Sequence, residues 1–113
     1  MINGGHVIIY SRDAEADRAF IKNVLKLSFV DAHNGWLIFK LPPAEIAVHP
    51  SDENDLHEFY LMTDDLELEI GSLKAAGVTC GAVEHQGWGR STRIQLPGGG
   101  TLGLYEPRHP RPE

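Results

Sequence analysis

Two side chains suited to metal or proton chemistry stand 52 positions apart, His6 and Glu58. Each opens an apolar run that ends in aspartate: His6-Val-Ile-Ile-Tyr-Ser-Arg-Asp13 and Glu58-Phe-Tyr-Leu-Met-Thr-Asp-Asp65. The same offset relates Asp13 to Asp65, so the chain states one pattern twice. Strand periodicity puts His6, Ile8 and Tyr10 on one face, and Glu58, Tyr60 and Met62 on the equivalent face of the second copy. An imidazole and a carboxylate placed so could hold a divalent cation, with water filling the remaining positions. Two protein ligands are fewer than the three of a usual catalytic site. The pair could instead hydrogen-bond to each other, or Glu58 could be a catalytic acid–base with a pKa raised by burial.

A second set of residues suits the holding of a small organic molecule. By period, His49, Tyr10, Tyr60 and Tyr105 face inward with Met62, giving apolar walls with polar tips. The same rings would serve as ordinary core aromatics, the reading favoured for Tyr10. Glu84-His-Gln-Gly-Trp-Gly-Arg-Ser91 reads as a glycine-rich loop. Trp88 could cover a ligand there, while His85 or Arg90 met an acidic group on it. A solvent-exposed hairpin anchored by Trp88 is the plainer reading. Cys80 has no histidine nearby in sequence and reads as structural. Gly98-Gly99-Gly100 lacks the strand–turn–helix setting of a phosphate loop and reads as a turn.

The elements that must position these residues follow the duplication. After a lead-in from Met1 to Gly5, a strand runs over about 6–11, and Asp13 caps a helix over about 14–25 with Phe20 and Val24 on its apolar stripe. Strands follow at about 28–31 and 36–41, joined by the hairpin signal Asn34-Gly35. Pro42-Pro43 turns the chain into a fourth strand at 45–49. A polar linker over 50–55 leads to the second half. There a strand covers about 58–63, and Asp64 with Glu67 has capping-box spacing. Leu66, Ile70 and Leu73 form the helix stripe, and Gly77 is its left-handed stop. Strands are expected at 78–83, 92–96 and 101–106. Neither half could bury its own sheet alone, so the halves should pack as one domain.

Size and charge narrow the function. The chain has 113 residues, enough for one domain with a core. Its net charge is −6, with Lys and Arg scattered, which argues against a nucleic-acid partner. No apolar run is long enough for a membrane span, and no signal peptide is evident. A single cysteine cannot form an internal disulfide and suits a reduced, cytoplasmic protein. The stretch 108–113 is punctuated by proline and reads as an extended tail.

Two βαβββ modules, each opening on an apolar strand and an Asp-started helix, resemble the vicinal oxygen chelate superfamily, the glyoxalase, bleomycin-resistance and extradiol-dioxygenase group. The closing Leu96-Pro-Gly-Gly-Gly…Leu-Gly-Leu-Tyr-Glu-Pro107 is similar to that family's last strand. The resemblance implies an α+β fold whose two modules, about 5–50 and 56–107, form one domain over 1–107 and curve a mixed sheet into a cup. It also implies a divalent metal (Zn, Ni, Mn, Fe or Mg) held by first and last strands of each module. His6 and Glu58 fall on two of those four positions. Ala47 and Gly103 fall on the others, where no side chain can coordinate. Lys26 replaces a common glycine after the first helix.

Taken together, these features point to a metal-free or weakly metal-binding protein that holds an aromatic or oxygenated small molecule, with His49, Tyr60, Met62, His85, Trp88, Arg90 and Tyr105 as its candidate contacts. The alternatives are a metal-dependent lyase, isomerase or dioxygenase using His6 and Glu58, and a dimerising domain without a ligand. A homodimer is expected, and a partner copy could complete the cavity.

Overall fold

Asp13 and Asp65, 52 positions apart, cap the two helices. The computed structural model describes residues 6–112; the Met1–Gly5 lead-in and Glu113, at the end of the tail, lie outside the described residues. Asp13 accepts a hydrogen bond from the Ala16 N–H at 3.1 Å, and helix α1 spans Ala14–Phe20. The chain then winds on as a π-helical turn, Ile21–Leu25, and stops at Lys26 with φ 58°. A lysine thus takes the left-handed conformation that glycine adopts without strain. Asp65 accepts from the Leu68 N–H at 3.1 Å and caps helix α2, Leu66–Ala75. The capping-box expectation at Asp64 is corrected by one residue: Thr63 Oγ1 receives the Asp65 N–H and fixes Asp65 as the cap. Gly77, φ 83°, ends the helix region as expected.

Among the described residues six strands are paired: β1 Phe29–Asp31, β2 Leu37–Phe39, β3 Tyr60–Met62, β4 Glu84–Gln86, β5 Gly89–Gln95 and β6 Thr101–Pro107. β1 and β2 form an antiparallel ribbon around Asn34 (φ 47°) and Gly35 (φ 84°), the positive dihedrals that an Asn-Gly hairpin supplies. The other four make a mixed sheet in the order β3-β6-β5-β4, with β3 parallel to β6. The second module is therefore a complete βαβββ unit, and the chain is α+β.

Several expected strands differ. Residues 78–83 contribute only a bridge, Cys80 to Ile94. The expected glycine-rich loop is a β4–β5 hairpin turning at Gly87 and Trp88, which starts β5 at Gly89 instead of Thr92. Gly89 permits this because Glu106 O of β6 lies where a Cβ would project. Residues 6–11 and 45–49 form no paired strand, and their apolar side chains stay largely in solvent.

Phe20, Leu66, Leu73, Ile94, Leu96, Leu102 and Leu104 form the buried core. All but Phe20 belong to the second module. Leu66 and Ile94 are completely enclosed, each worth about 2 kcal/mol of burial. Among the described residues no helix is long and apolar enough to cross a membrane.

Candidate functional site

Parallel pairing of β3 with β6 sets Tyr60 opposite Gly103 and Met62 opposite Tyr105. Alternation brings the side chains of this group to one face of the sheet. Gly103 leaves an empty place there, and the Tyr60 ring lies over it. A methyl at Gly103 would overlap Tyr60 Cδ1 and fall 2.6 Å and 2.8 Å from its Cε1 and Cγ. The β4–β5 turn adds Trp88. Ring centroids lie 5.5 Å apart for Tyr60–Tyr105, 5.2 Å for Trp88–Tyr105 and 6.1 Å for Tyr60–Trp88, all near perpendicular. Such edge-to-face pairs contribute about 0.5–1.5 kcal/mol each beyond burial. The result is a rigid aromatic face, still open: Trp88 is 37% exposed.

Polar groups ring this face. Tyr60 Oη donates to Glu58 Oε2 at 2.8 Å, and the Arg93 guanidinium lies 5.7 Å from the Tyr60 ring centre. Tyr105 Oη lies 3.0 Å from Glu45 Oε1, to which it donates, and 3.2 Å from His109 Nε2. His109 Nδ1–H donates to Pro110 O at 2.9 Å, which orients the imidazole. Arg108 N–H donates to Trp88 O at 2.9 Å, and Arg111 reaches Met62 Sδ at 3.6 Å, so the tail borders the same face. Burial, then the hydrogen bond to Glu45, pushes the Tyr105 hydroxyl up to about 12. Burial and the Glu58 carboxylate raise Tyr60 in the same direction.

The structure brings Tyr60, Met62, Trp88, Tyr105 and Glu58 together and leaves other expected residues apart. His6, His49 and His85 are solvent-exposed in the single chain, and Tyr10, expected to face inward, is 91% exposed. His85 sits on β4 opposite Arg90. Arg90 is engaged elsewhere: both arms of its guanidinium bind Glu67, and Nη2 also meets the Glu106 carboxylate at 3.0–3.1 Å. It therefore ties α2 to β5 and β6. The guanidinium holds the Glu67 carboxyl below its usual value. At Glu106 the Leu66 N–H lowers it first and Arg90 second. Burial pushes the Cys80 thiol up, in keeping with a structural residue. Glu45, Arg93 and His109 escaped the sequence reading. Glu45 shares the period of Ala47 and His49 and was within reach of it, whereas nothing local marks His109.

Two cavities lie away from the aromatic rings. One of about 170 Å³ is lined mainly by apolar residues and reaches Met62. The other, about 270 Å³, lies between residues 10–12 and the 98–100 turn.

Solved structures share this architecture. TnmS3, an antibiotic-binding protein from Streptomyces sp. CB03234, superposes with a TM-score of 0.66 at 22% identity, covering 95% of this chain and 99% of that one. A lactoylglutathione lyase from Agrobacterium tumefaciens gives 0.62 at 17% identity, over 87% and 88%. A member of the glyoxalase/bleomycin resistance protein/dioxygenase superfamily from Sphaerobacter thermophilus DSM 20745 gives 0.60 at 23% identity, over 93% and 98%. The chain has the vicinal oxygen chelate fold. No family sequence profile and no curated protein sequence matches it.

The donor set can be tested against the metal this fold often carries. Of the four positions where the resemblance places metal ligands, Ala47 and Gly103 offer no donor, and the Tyr60 ring fills the space a longer side chain at Gly103 would need. Asp65, Glu67 and Glu106 bring carboxylate oxygens within 4.8 Å of one another. The Arg90 guanidinium already binds two of these three groups and neutralises charge a cation would require. Neither set of residues fits a resident metal.

Proposed function

We propose that this protein binds a flat, oxygenated aromatic molecule on the Tyr60–Trp88–Tyr105 face, as a metal-free cytoplasmic homodimer. The observation that carries the reading is the perpendicular packing of three rings around a glycine on one open sheet face. Their rims present aromatic surface, and their hydroxyls are already held by Glu58 and Glu45. A ligand ring gains apolar contact there without ordering new side chains, which reduces the cost of binding. Its hydroxyl or carbonyl groups meet the remaining carboxylate oxygens, Arg93 or His109. Met62 and the tail bound the face on one side. TnmS3, an antibiotic-binding protein, shares this architecture, which supports this type of use. The lyase reading needs metal donors at Ala47 and Gly103, and no contact favours it.

A thermal shift series with 2,6-dihydroxynaphthalene and with bleomycin tests the proposal. Stabilisation grows with ligand concentration as RT ln(1 + [L]/Kd), reaching about 2.7 kcal/mol at a hundredfold excess over Kd. We expect stabilisation by the flat probe, and its loss in Trp88→Ala and Tyr105→Ala. Stabilisation by zinc, nickel or manganese in the absence of either probe would overturn the metal-free reading. No response to either aromatic probe would count against the proposed face.

A further inference from the structure

The segment after β6 lies along the aromatic face and is part of the same chain. β6 ends at Pro107, which pairs with Gly89, and residues 108–112 form no helix or strand. The Arg108 N–H donates to Trp88 O at 2.9 Å. His109 Nε2 lies 3.2 Å from Tyr105 Oη and 3.4 Å from Glu45 Oε1. Arg111 Nη2 reaches Met62 Sδ at 3.6 Å. Within 108–112 His109 alone turns inward, and the other residues of the segment are exposed. Its imidazole stands against the Tyr105 ring, with centroids 6.1 Å apart and planes tilted by 38°, inside the range where aromatic rings attract. The other ring nitrogen is spent on Pro110 O at 2.9 Å. A flat ring against Tyr105, with one polar atom between Tyr105 and Glu45, is also what an aromatic ligand would place there.

We propose that residues 108–112 are a strap whose His109 imidazole occupies the place of a ligand ring, and that the ligand displacing it is a phenol whose hydroxyl takes the position of Nε2. This deepens the binding reading above and rests on it, and it narrows the polar partners of the ligand to Glu45 and Tyr105. A hydroxyl at that position donates to Glu45 while accepting from Tyr105, two roles that one hydroxyl can fill. The imidazole fills them poorly. Its 3.4 Å approach to Glu45 is long for a hydrogen bond, and its side chain stays 34% exposed. A hydroxyl donating to a carboxylate closes to about 2.6 Å. The strap can also lift without damage to the sheet, because it shares no ladder bond beyond Pro107. Pro107, Pro110 and Pro112 fix φ, so the strap has little freedom to lose each time it seats again. Segments held by so few contacts open far more readily than the core. A strap closed in about nine molecules of ten weakens apparent binding about tenfold.

Calorimetric titration with 2,6-dihydroxynaphthalene tests the proposal on three proteins: the full chain, His109→Ala, and a chain ending at Pro107. Both altered proteins should bind the probe about tenfold more tightly than the full chain. 2,6-Dimethoxynaphthalene has no proton for Glu45 and should bind about tenfold more weakly than the dihydroxy probe. Amide hydrogen exchange on the full chain gives a second readout that needs no variant. The Arg108 amide should be protected in the free protein and lose that protection at saturating probe. Equal or weaker binding by both altered proteins overturns the strap, as does an Arg108 amide whose protection is unchanged when the probe is bound. Equal binding of the two probes overturns the phenol assignment. Absence of binding in all three proteins fells the aromatic-face reading and this proposal with it, a different result from a probe that binds while the strap stays seated.

Discussion

Gly103→Ala should be among the more damaging single-methyl additions this protein can suffer. Gly103 lies on β6, between Tyr60 of β3 and Arg93 of β5, so its backbone is fixed on both sides. The added methyl would overlap the Tyr60 ring at Cδ1, near the stem of the side chain and not its flexible end. Gly103 has no positive φ, so alanine brings no backbone strain. Restricting the unfolded chain even favours alanine by about 0.4–1 kcal/mol. Against that stands the cost of overpacking, about 1–3 kcal/mol. Swinging Tyr60 aside also loses edge-to-face contacts with Trp88 and Tyr105, each about 0.5–1.5 kcal/mol. A net loss of about 1–5 kcal/mol follows, or about 5–25 °C in Tm for a domain of this size. Urea denaturation measures it, and a double-mutant cycle assigns it. In the Tyr60→Ala background the same substitution should become neutral or stabilising. Equal cost in both backgrounds would refute the claim that Tyr60 fills the place above Gly103.

Two pH dependences follow from the charged and phenolic groups. Glu67 and Glu106 have carboxyls held below their usual value in the fold, so the unfolded chain takes up their protons first as pH falls below about 4.5. Their contribution is complete above that pH and declines as it falls; urea midpoints in Arg90→Met should show a shallower acid loss than wild type, and parallel profiles would contradict the assignment. Tyr105 is shifted upward, so its contribution is complete below pH 10 and is lost between about 10 and about 12. Absorbance titration of phenolate should show a late-ionising tyrosine that disappears in Tyr105→Phe, and an unchanged titration curve would contradict it.

Duplication was the most informative signal in the sequence. It located the first helix cap, Asp13, and the second to within one residue, Asp64 for Asp65, and it put Tyr60 and Met62 on one strand face. The Asn34-Gly35 hairpin was legible because positive dihedrals demand those residues. Other features depend on distant partners and leave no local trace. Gly89 looked like part of a loop because its reason for being glycine is Glu106, seventeen positions later. Arg90 gave no local hint of its two acidic partners, because they lie on α2 and β6. The strands at 6–11 and 45–49 carry strong β composition, yet pairing needs an edge as well as propensity. In this structure neither segment pairs with the free edges that β1, β2, β3 and β4 offer.

The central claim is that Trp88 and its two tyrosine neighbours form a binding face. In Trp36→Phe, Trp88 is the one remaining tryptophan, and its fluorescence can be titrated with 2,6-dihydroxynaphthalene. The account predicts saturable quenching that Tyr105→Ala abolishes. Emission that changes only linearly with added probe, in both proteins alike, would contradict it.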